Sequence, residues 1–382
     1  MACSFCVRMC VMRAYAIVDC DVLVVGGGIA GSATARHLAA AGADVVLVER
    51  FDLNTQGSGY NAGSLHAQIQ HDPFLARGEA WARAYEPATR FLVDSIALWR
   101  GLPDELGVDL EVSVTGGVLV AATDAQMRDI ERKVRVERSQ GLPVELLARS
   151  DLPPYVSERM AGGELCAIEG KANPLLAGPA LARDAQRRGA RVLVHTELTA
   201  LDREGSAFRA QTTAGTIRAR RVVSCGGIDA ARVLGVSLPI FGEAIQASVT
   251  EPVAPLVRHL LYFAGEKLTL KQARVGSLLI GGGWPARLDN GRPTVSFESL
   301  RANLSVAQIV VPAVGRARLL RTWAGFVNAT PDWKPFIGAV APGLFVGAFP
   351  YMGFTAAPLL GQVLGDLALG RDVGRDLSPF QP

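Results

Sequence analysis

Continuous apolar runs alternate with half-polar ones along this chain. Val22-Leu23-Val24-Val25 and Val45-Val46-Leu47-Val48 are apolar at every position, the pattern of strands buried on both faces of a parallel sheet. A glycine-rich turn at residues 26–31 and a helix of small residues at 32–41 join them, and Gly42 fits the helix's C-terminal cap. Residues 21–50 therefore predict one strand–helix–strand unit. After an irregular stretch at 51–72, residues 73–100 predict helix, with Trp81, Tyr85, Phe91, Ile96 and Trp99 as core positions. Residues 112–121 predict two short strands about Gly116-Gly117, and 124–140 an amphipathic charged helix closed by Gly141. Asn173 suits an N-cap and Pro174 the first position of a helix reaching about residue 188. Strands are predicted at 191–194, 200–203, 208–213 and 221–225, and antiparallel ones at 245–250, 268–272 and 277–281. A helix over 303–320, broken near Pro312, precedes a return to strand, turn and final helix. The order predicts interleaved domains, the chain leaving the first unit and returning to it twice.

Composition narrows the class. At 382 residues the chain exceeds one ordinary core, and 49% hydrophobic residues supply a large interior. The net charge is only +3, and the densest basic run, Arg218, Arg220 and Arg221, sits beside an apolar strand, so no nucleic-acid partner is expected. Cys3, Cys6 and Cys10 form a CxxCxxxC run, but they precede the first strand; residues 1–19 are read as a disordered extension and no metal is expected. The N-terminus lacks the charged-then-apolar order of a signal peptide. Residues 335–365 carry no charge, yet Pro335, Pro342, Pro350 and Pro358 interrupt them, so they predict two buried elements, a turn and a helix rather than a membrane span. A cytoplasmic protein is expected.

Gly26-Gly27-Gly28-Ile29-Ala30-Gly31 fits GxGxxG where it has meaning, after a strand and opening a helix, and Glu49 follows Gly31 by 18 residues. Gly26 permits the tight turn, Gly28 lets the backbone approach a pyrophosphate seated on the helix N-terminus, and Gly31 allows close helix–strand packing. Glu49 can accept from ribose hydroxyls and would repel a 2′-phosphate, so the ligand is a dinucleotide other than NADP. Gly57-Ser58-Gly59-Tyr60-Asn61-Ala62-Gly63-Ser64, Gly226-Gly227 and Gly353-Phe354-Thr355 are further glycine-rich segments, and they favour FAD over NAD.

On those motifs, with Val222-Val223-Ser224-Cys225-Gly226-Gly227, Thr330-Pro331-Asp332 and the terminal Gly353, Pro358 and Gly361, the chain resembles the D-amino-acid oxidase/glycine oxidase/sarcosine oxidase family of FAD flavoproteins over roughly residues 20–380. The resemblance implies an α/β fold: a Rossmann-type FAD-binding domain from 20–85, 155–238 and 322–382, interleaved with a substrate domain from 86–154 and 239–321 on a mixed or antiparallel sheet. It implies that Gly26, Gly28, Ile29, Ala30, Gly31, Glu49 and Arg50 hold the ADP half of FAD. Asn61, Ala62, Gly63 and Ser64 would line the isoalloxazine and pyrophosphate, with Gly226 and Gly227 close by. Asp332 and Gly338 would lie near the ribityl chain, and Gly353, Phe354 and Thr355 would offer backbone N–H groups to the N1–C2 edge of the flavin. The implied chemistry is hydride removal from the carbon beside a neutral amine, delivered to flavin N5, giving an imine that hydrolyses.

The family's carboxylate-forking arginine falls at Val327 here, and the cysteine that binds flavin covalently in monomeric sarcosine oxidases falls near Gly325, so non-covalent FAD is expected. Replacement substrate contacts are sought in His66 and Gln68 after the flavin loop, in Lys271, which shares a strand face with Thr269, and in Trp284, Tyr351 and Asn328. Asn61–His66, Glu169–Pro174 and Leu268–Gln272 are also similar to the catalytic β chains of opine and D-hydroxyproline dehydrogenases, which work with partner subunits. The expected function is oxidation of the C–N bond of a D-amino acid, imino acid or N-substituted amino acid, with electrons passing to oxygen, a quinone or a partner subunit, in a homo-oligomer or heteromer. The alternatives are a hydroxy-acid dehydrogenase of the same fold and a flavoprotein subunit that only docks a partner.

Overall fold

The computed structural model describes residues 17–382, and the Cys3, Cys6 and Cys10 run lies outside them. Two eight-stranded sheets organise these residues. In the first, Val18–Val25 lies between Val45–Val48 and Gly215–Ser224, with Arg191–Leu193 and Leu344–Ala348 next outward, all parallel. Leu23, Val24, Val45, Val46 and Leu47 are wholly enclosed, as two-sided apolar runs require. Leu198–Glu204 and Ala207–Thr212 add an antiparallel hairpin to Gly215–Ser224, and Phe336–Ala341 pairs antiparallel with Leu344–Ala348. The first strand starts at Val18, because Val18 and Cys20 extend the ladder to Ile217 and Ala219; the predicted extension over 1–19 therefore overruns it.

The second sheet runs in the order Leu319–Ala329, Phe241–Pro252, Ser277–Pro285, Thr269–Gln272, Leu260–Phe263, Gly117–Ala121, Gly162–Cys166, Val144–Ala148. All neighbours are antiparallel except Leu260–Phe263 beside Gly117–Ala121. It takes in Gly162–Cys166 and Leu319–Ala329, which the sequence pattern assigns mostly to the dinucleotide domain; their partners, not their own apolar content, decide the sheet. Residues 112–121 hold one strand, not two, because Gly116 turns the chain at φ +96° and only Ser113 bridges on to Lys171. The helix predicted at 303–320 runs instead from Phe297 to Val310, capped by the Ser296 hydroxyl, and strand begins at Leu319. The helix predicted at 73–100 is two, His71–Ala84 and Glu86–Leu106, the first kinked at Gly78, where φ is +79°. Tyr85, Phe91, Ile96 and Trp99 are buried as predicted, and Trp81 is half-buried.

Close helix packing aims the last helix at the first sheet's turn. A Cβ on Gly361 would sit 2.6 Å from the Ala33 backbone, so Ile29–Ala40 and Gly353–Leu369 meet almost backbone to backbone. That contact carries the Gly353 end of the last helix beside the glycine turn. Among the described residues no helix is long and apolar enough to cross a membrane. Residues 335–365 form two short strands and most of this last helix.

Candidate active site

The glycine turn is built as its sequence demands. Gly26 leaves the first strand at φ +107°, and a Cβ on Gly31 would lie 1.8 Å from the Gly26 carbonyl oxygen. The helix Ile29–Ala40 has no side-chain cap from its own N-cap residue; the Ser58 hydroxyl accepts from the Ile29 N–H at 3.0 Å. Its positive end faces a cleft of about 680 Å³ that Gly26, Gly28, Ile29 and Ala30 line. Across that cleft Glu49 is held by the N–H groups of Gly27 at 2.7 Å and Phe51 at 2.8 Å, its carboxylate fixed on the wall. Arg50 pairs with Asp229 at 2.7 Å, beyond the Gly226-Gly227 turn, and all four line the cleft. A helix end open to the cleft, an anchored acid and glycines at the points of closest approach fit an adenine dinucleotide.

A chamber of about 520 Å³ adjoins the cleft, and Tyr60, Asn61, Phe326, Val327 and Tyr351 line both. Asn61 Oδ1 accepts from the Gly63 N–H at 2.7 Å. Gly63 has φ +77°, and a Cβ there would meet the Ala172 carbonyl oxygen at 2.1 Å. Ser64 and Leu65 then pair with Lys171 and Gly170. The Thr355 hydroxyl donates to the Ser64 carbonyl at 3.2 Å and accepts from the His66 N–H at 3.0 Å, which locks the N-terminus of the last helix to this loop. Phe354 and Thr355 line the chamber. Around Gly353 the backbone faces open space, with no atom within 4 Å of an added Cβ.

Behind the loop lies a buried polar chain. His66 Nδ1 is 2.7 Å from the Tyr262 hydroxyl, and that hydroxyl donates to Glu169 Oε2 at 2.8 Å. Because the Tyr262 proton points to Glu169, the bonding assigns the hydrogen on Nδ1 to His66 and leaves Nε2 bare toward the chamber. Burial, with Lys271 nearby, pushes His66 down to about 3, so the ring is neutral. Glu169 also accepts from the N–H groups of Ala67 at 2.6 Å and Gln68 at 2.8 Å, and from Gln68 Nε2 at 2.9 Å. Its own burial pushes the carboxyl up, while these donors pull it down. A Cβ on Gly117 would fall 1.8 Å from Glu169 Oε2, so a glycine makes room for this carboxylate. Gln68 Oε1 accepts from Lys133 at 3.3 Å, and Lys133 pairs with Glu137 and Glu164, each at 2.8 Å.

The wall opposite comes from the second sheet. Glu243, Ile245 and Ala247 stand directly across from Val327, Gly325 and Trp323, and all six line the chamber. Tyr351, in the left-handed region at φ +55°, donates to Glu243 at 2.7 Å and stacks on Trp333 at 3.8 Å. Lys271 lies behind the wall, 1% exposed, its ammonium donating to the Ser64 hydroxyl; burial, with Lys171 nearby, pushes it down to about 7. It is not the exposed strand lysine that its sequence also allows.

His66, Gln68 and Tyr351 are therefore brought to the chamber, and Asn328 lines the cleft. Six predicted residues line neither space: Gly31 and Gly63, which pack against the Gly26 and Ala172 carbonyls, Lys271 behind the wall, and Trp284, Asp332 and Gly338. Trp284 donates to the Lys267 carbonyl at 2.7 Å and packs on the second sheet's core, since strand alternation at Gly283 turns it away. Asp332 points its carboxylate at the Lys334 N–H, and Gly338 packs against Gln381 and Pro382. The sequence reading missed Tyr262 and Glu243 on the chamber wall and Glu169 buried behind it; the Glu169-Gly170-Lys171 segment was a signal for the last.

Comparison with known proteins agrees with this geometry. The family profile described as DAO, FAD dependent oxidoreductase, matches residues 21–367. The glycine oxidase of Geobacillus kaustophilus is 29% identical over 94% of this chain and 96% of its own length. A crystal structure of glycine oxidase from the same species superposes with a TM-score of 0.85 at 26% identity, covering 95% of this chain and 98% of that one. The beta subunit of sarcosine oxidase from Rhizobium meliloti is 27% identical over 89% of this chain and 82% of its length. The B subunit of opine oxidase from Agrobacterium tumefaciens is 25% identical over 95% and 96%.

Proposed function

The chain belongs to the FAD dependent oxidoreductase family, and from that premise we propose that it dehydrogenates the C–N bond of an imino acid or N-substituted amino acid. One geometry carries the reading: His66, hydrogen-bonded through Nδ1 to Tyr262 and pushed down by burial, lines a chamber that adjoins the dinucleotide cleft. An ammonium cannot release hydride from its α-carbon, so an amine dehydrogenase needs a site that accepts the neutral amine. FAD, when bound, supplies the two-electron acceptor. The chain's residues hold it through the glycine turn, Glu49 and the loop around Asn61. Gly325 supports non-covalent binding, because a Cβ there would lie 2.3 Å from the Tyr60 ring and leaves no room for a thioether link.

The charges of the chamber favour a substrate other than free glycine. Val327 supplies no carboxylate clamp, and Glu243 stands across from it. Arg77 and Lys267 are the cations on the chamber wall, placed for a carboxylate at another end. The likeness to the beta subunit of sarcosine oxidase and the B subunit of opine oxidase supports a second element, assembly with a partner subunit that offers electrons a way out. We take the protein as cytoplasmic, in keeping with the free thiols of Cys20, Cys166 and Cys225.

An anaerobic panel tests the function. Holoprotein mixed with D-amino acids, sarcosine, D-hydroxyproline and opines should bleach at the flavin absorbance maximum with a secondary amine. Bleaching by hydroxy acids alone would overturn the reading, and a flavin that no substrate reduces would make the chain a docking component. Slow return of colour on admitting oxygen, against fast return with an artificial acceptor, would support the partner route.

A further inference from the structure

The chain of groups behind His66 goes beyond what flavin binding requires. Glu169 is fully enclosed, sits against no cation at hydrogen-bond distance, and takes four donors, one of them the Tyr262 hydroxyl. Tyr262 touches the chamber wall and links Glu169 to His66 with bonds of 2.8 and 2.7 Å. We propose that His66, Tyr262 and Glu169 form a relay that takes the ammonium proton of the bound substrate into the protein interior, leaving the neutral amine ready for oxidation. The proposal rests on the amine reading above.

The transfer balances without forming an imidazolium. The substrate N–H proton passes to His66 Nε2, the proton on Nδ1 passes to the Tyr262 oxygen, and the Tyr262 proton passes to Glu169 Oε2. Before and after, His66 and Tyr262 are neutral; the substrate loses one proton and Glu169 gains one. Each hydrogen bond persists with donor and acceptor exchanged, so no heavy atom has to move. The surroundings favour this route over a histidine acting alone. Lys271 from the Thr269–Gln272 strand lies near the ring, with Lys171 near Lys271, and an imidazolium there would add buried positive charge. Glu169 faces Tyr262 and Gln68, with Cys166 nearby and the Lys133, Glu137 and Glu164 cluster one residue further on. A carboxylate raised by burial is a stronger base than a free one, which suits a proton taken from an amine. His66 is the catalytic member; Tyr262 and Glu169 act through it.

The decisive variant is Y262F, which removes one hydroxyl and keeps the ring; E169Q supplements it, although its amide faces the N–H groups of Ala67 and Gln68 and threatens the loop. Anaerobic flavin reduction by the amine substrate is followed against pH in holoprotein. In Y262F the rate at neutral pH should fall at least about tenfold and should recover as pH approaches the pKa of the free substrate amine, with flavin binding retained. A loss that is uniform across pH, or a profile that does not move, overturns the relay while leaving amine oxidation intact. If no amine reduces the wild-type flavin, the functional reading itself fails and the relay falls with it. A second readout needs no turnover: ¹⁵N spectra of histidine-labelled holoprotein, assigned with H66Q, should show His66 as the neutral Nδ1–H tautomer at neutral pH. An imidazolium or the Nε2–H tautomer overturns the proposal.

Discussion

The cleft and the chamber beside it are built by opposite rules. At the dinucleotide end the closest approaches are glycine backbone, with Gly26, Gly28, Gly226 and Gly227 lining the cleft and the Glu49 carboxylate anchored by neighbouring N–H groups. At the chamber end the wall is side chain: His66 from the loop after Ser64, Tyr262 from one strand, Glu243 and Trp323 from two others, and Tyr351 from the turn before the last helix. Backbone amides offer the same donors whatever the side chains around them, so a cofactor site survives divergence elsewhere. A substrate site made of a few charged side chains changes its meaning with one substitution, as Val327 illustrates.

The sharpest way to break the contrast is to put side chains where only backbone fits. Two variants separate fold from cofactor. In G31A the new Cβ overlaps the Gly26 carbonyl at 1.8 Å, which neither backbone can relieve, and soluble protein should be lost. In G28V the only close neighbour of the Cβ is the Ser58 hydroxyl at 2.8 Å, so the sheet should still fold. The rest of the valine side chain then occupies the pyrophosphate approach, and the protein should purify colourless and fail to retain FAD. A yellow G28V protein would refute the cradle.

At the chamber end the next largest effect concerns Lys271, lowered from 10.5 to about 7 by burial and by Lys171. The unfolded chain keeps this proton up to about 10.5, whereas the folded protein releases it near 7. Between those values the unfolded state binds more protons, so stability rises with pH. The penalty is fully present below the folded value and gone above the unfolded one. K271M removes it, against the loss of one hydrogen bond to Ser64, and should stabilise the protein by about 3 kcal/mol at neutral pH. Thermal melts across pH should show that gain shrinking toward alkaline pH, and a constant gain would mean that the lysine is not strained in the fold. Flavin should be retained while turnover falls, the usual trade between stability and a strained site.

The same division explains what could be read before the structure. The strand–turn–helix–strand unit is local, so hydrophobic runs and glycine spacing define it within thirty-odd residues, and it forms as predicted. The final helix and the Asn173-Pro174 start were equally local. The chamber is not. Lys133 and Glu137 look like an i,i+4 pair on a solvated helix face, and only the strand carrying Glu164 buries them. Tyr262 looks like another apolar strand residue in Leu260–Phe263 until its hydroxyl meets Glu169. The hairpin Arg287–Asp289 to Arg292–Thr294 was missed, although Asn290-Gly291 is a strong turn signal; the adjoining Gly291, Arg292 and Pro293 reach the dinucleotide cleft.

The smallest expected effect is also the finest test of the contrast, because it asks whether the chamber's meaning can be rewritten without losing the cofactor. Val327 stands where the resemblance led us to expect an arginine for the substrate carboxylate, and Glu243 is its direct cross-strand neighbour. V327R alone should therefore change little: the new guanidinium meets Glu243 before it meets a substrate, and the pair neutralises itself. E243Q alone removes the charged acceptor of the Tyr351 hydroxyl but adds no clamp. In the double variant the arginine has lost its cross-strand carboxylate and is free to take one from the ligand. A bidentate charge-assisted contact contributes about 1.5–3 kcal/mol, so KM for a simple amino acid such as glycine should drop about tenfold. FAD should be retained through the glycine turn and Glu49, with a shifted flavin spectrum, since Val327 also lines the dinucleotide cleft. Improvement in V327R alone would show that Glu243 does not oppose the clamp, and no improvement in the double variant would show that substrate carboxylates bind at the Arg77 and Lys267 end of the chamber.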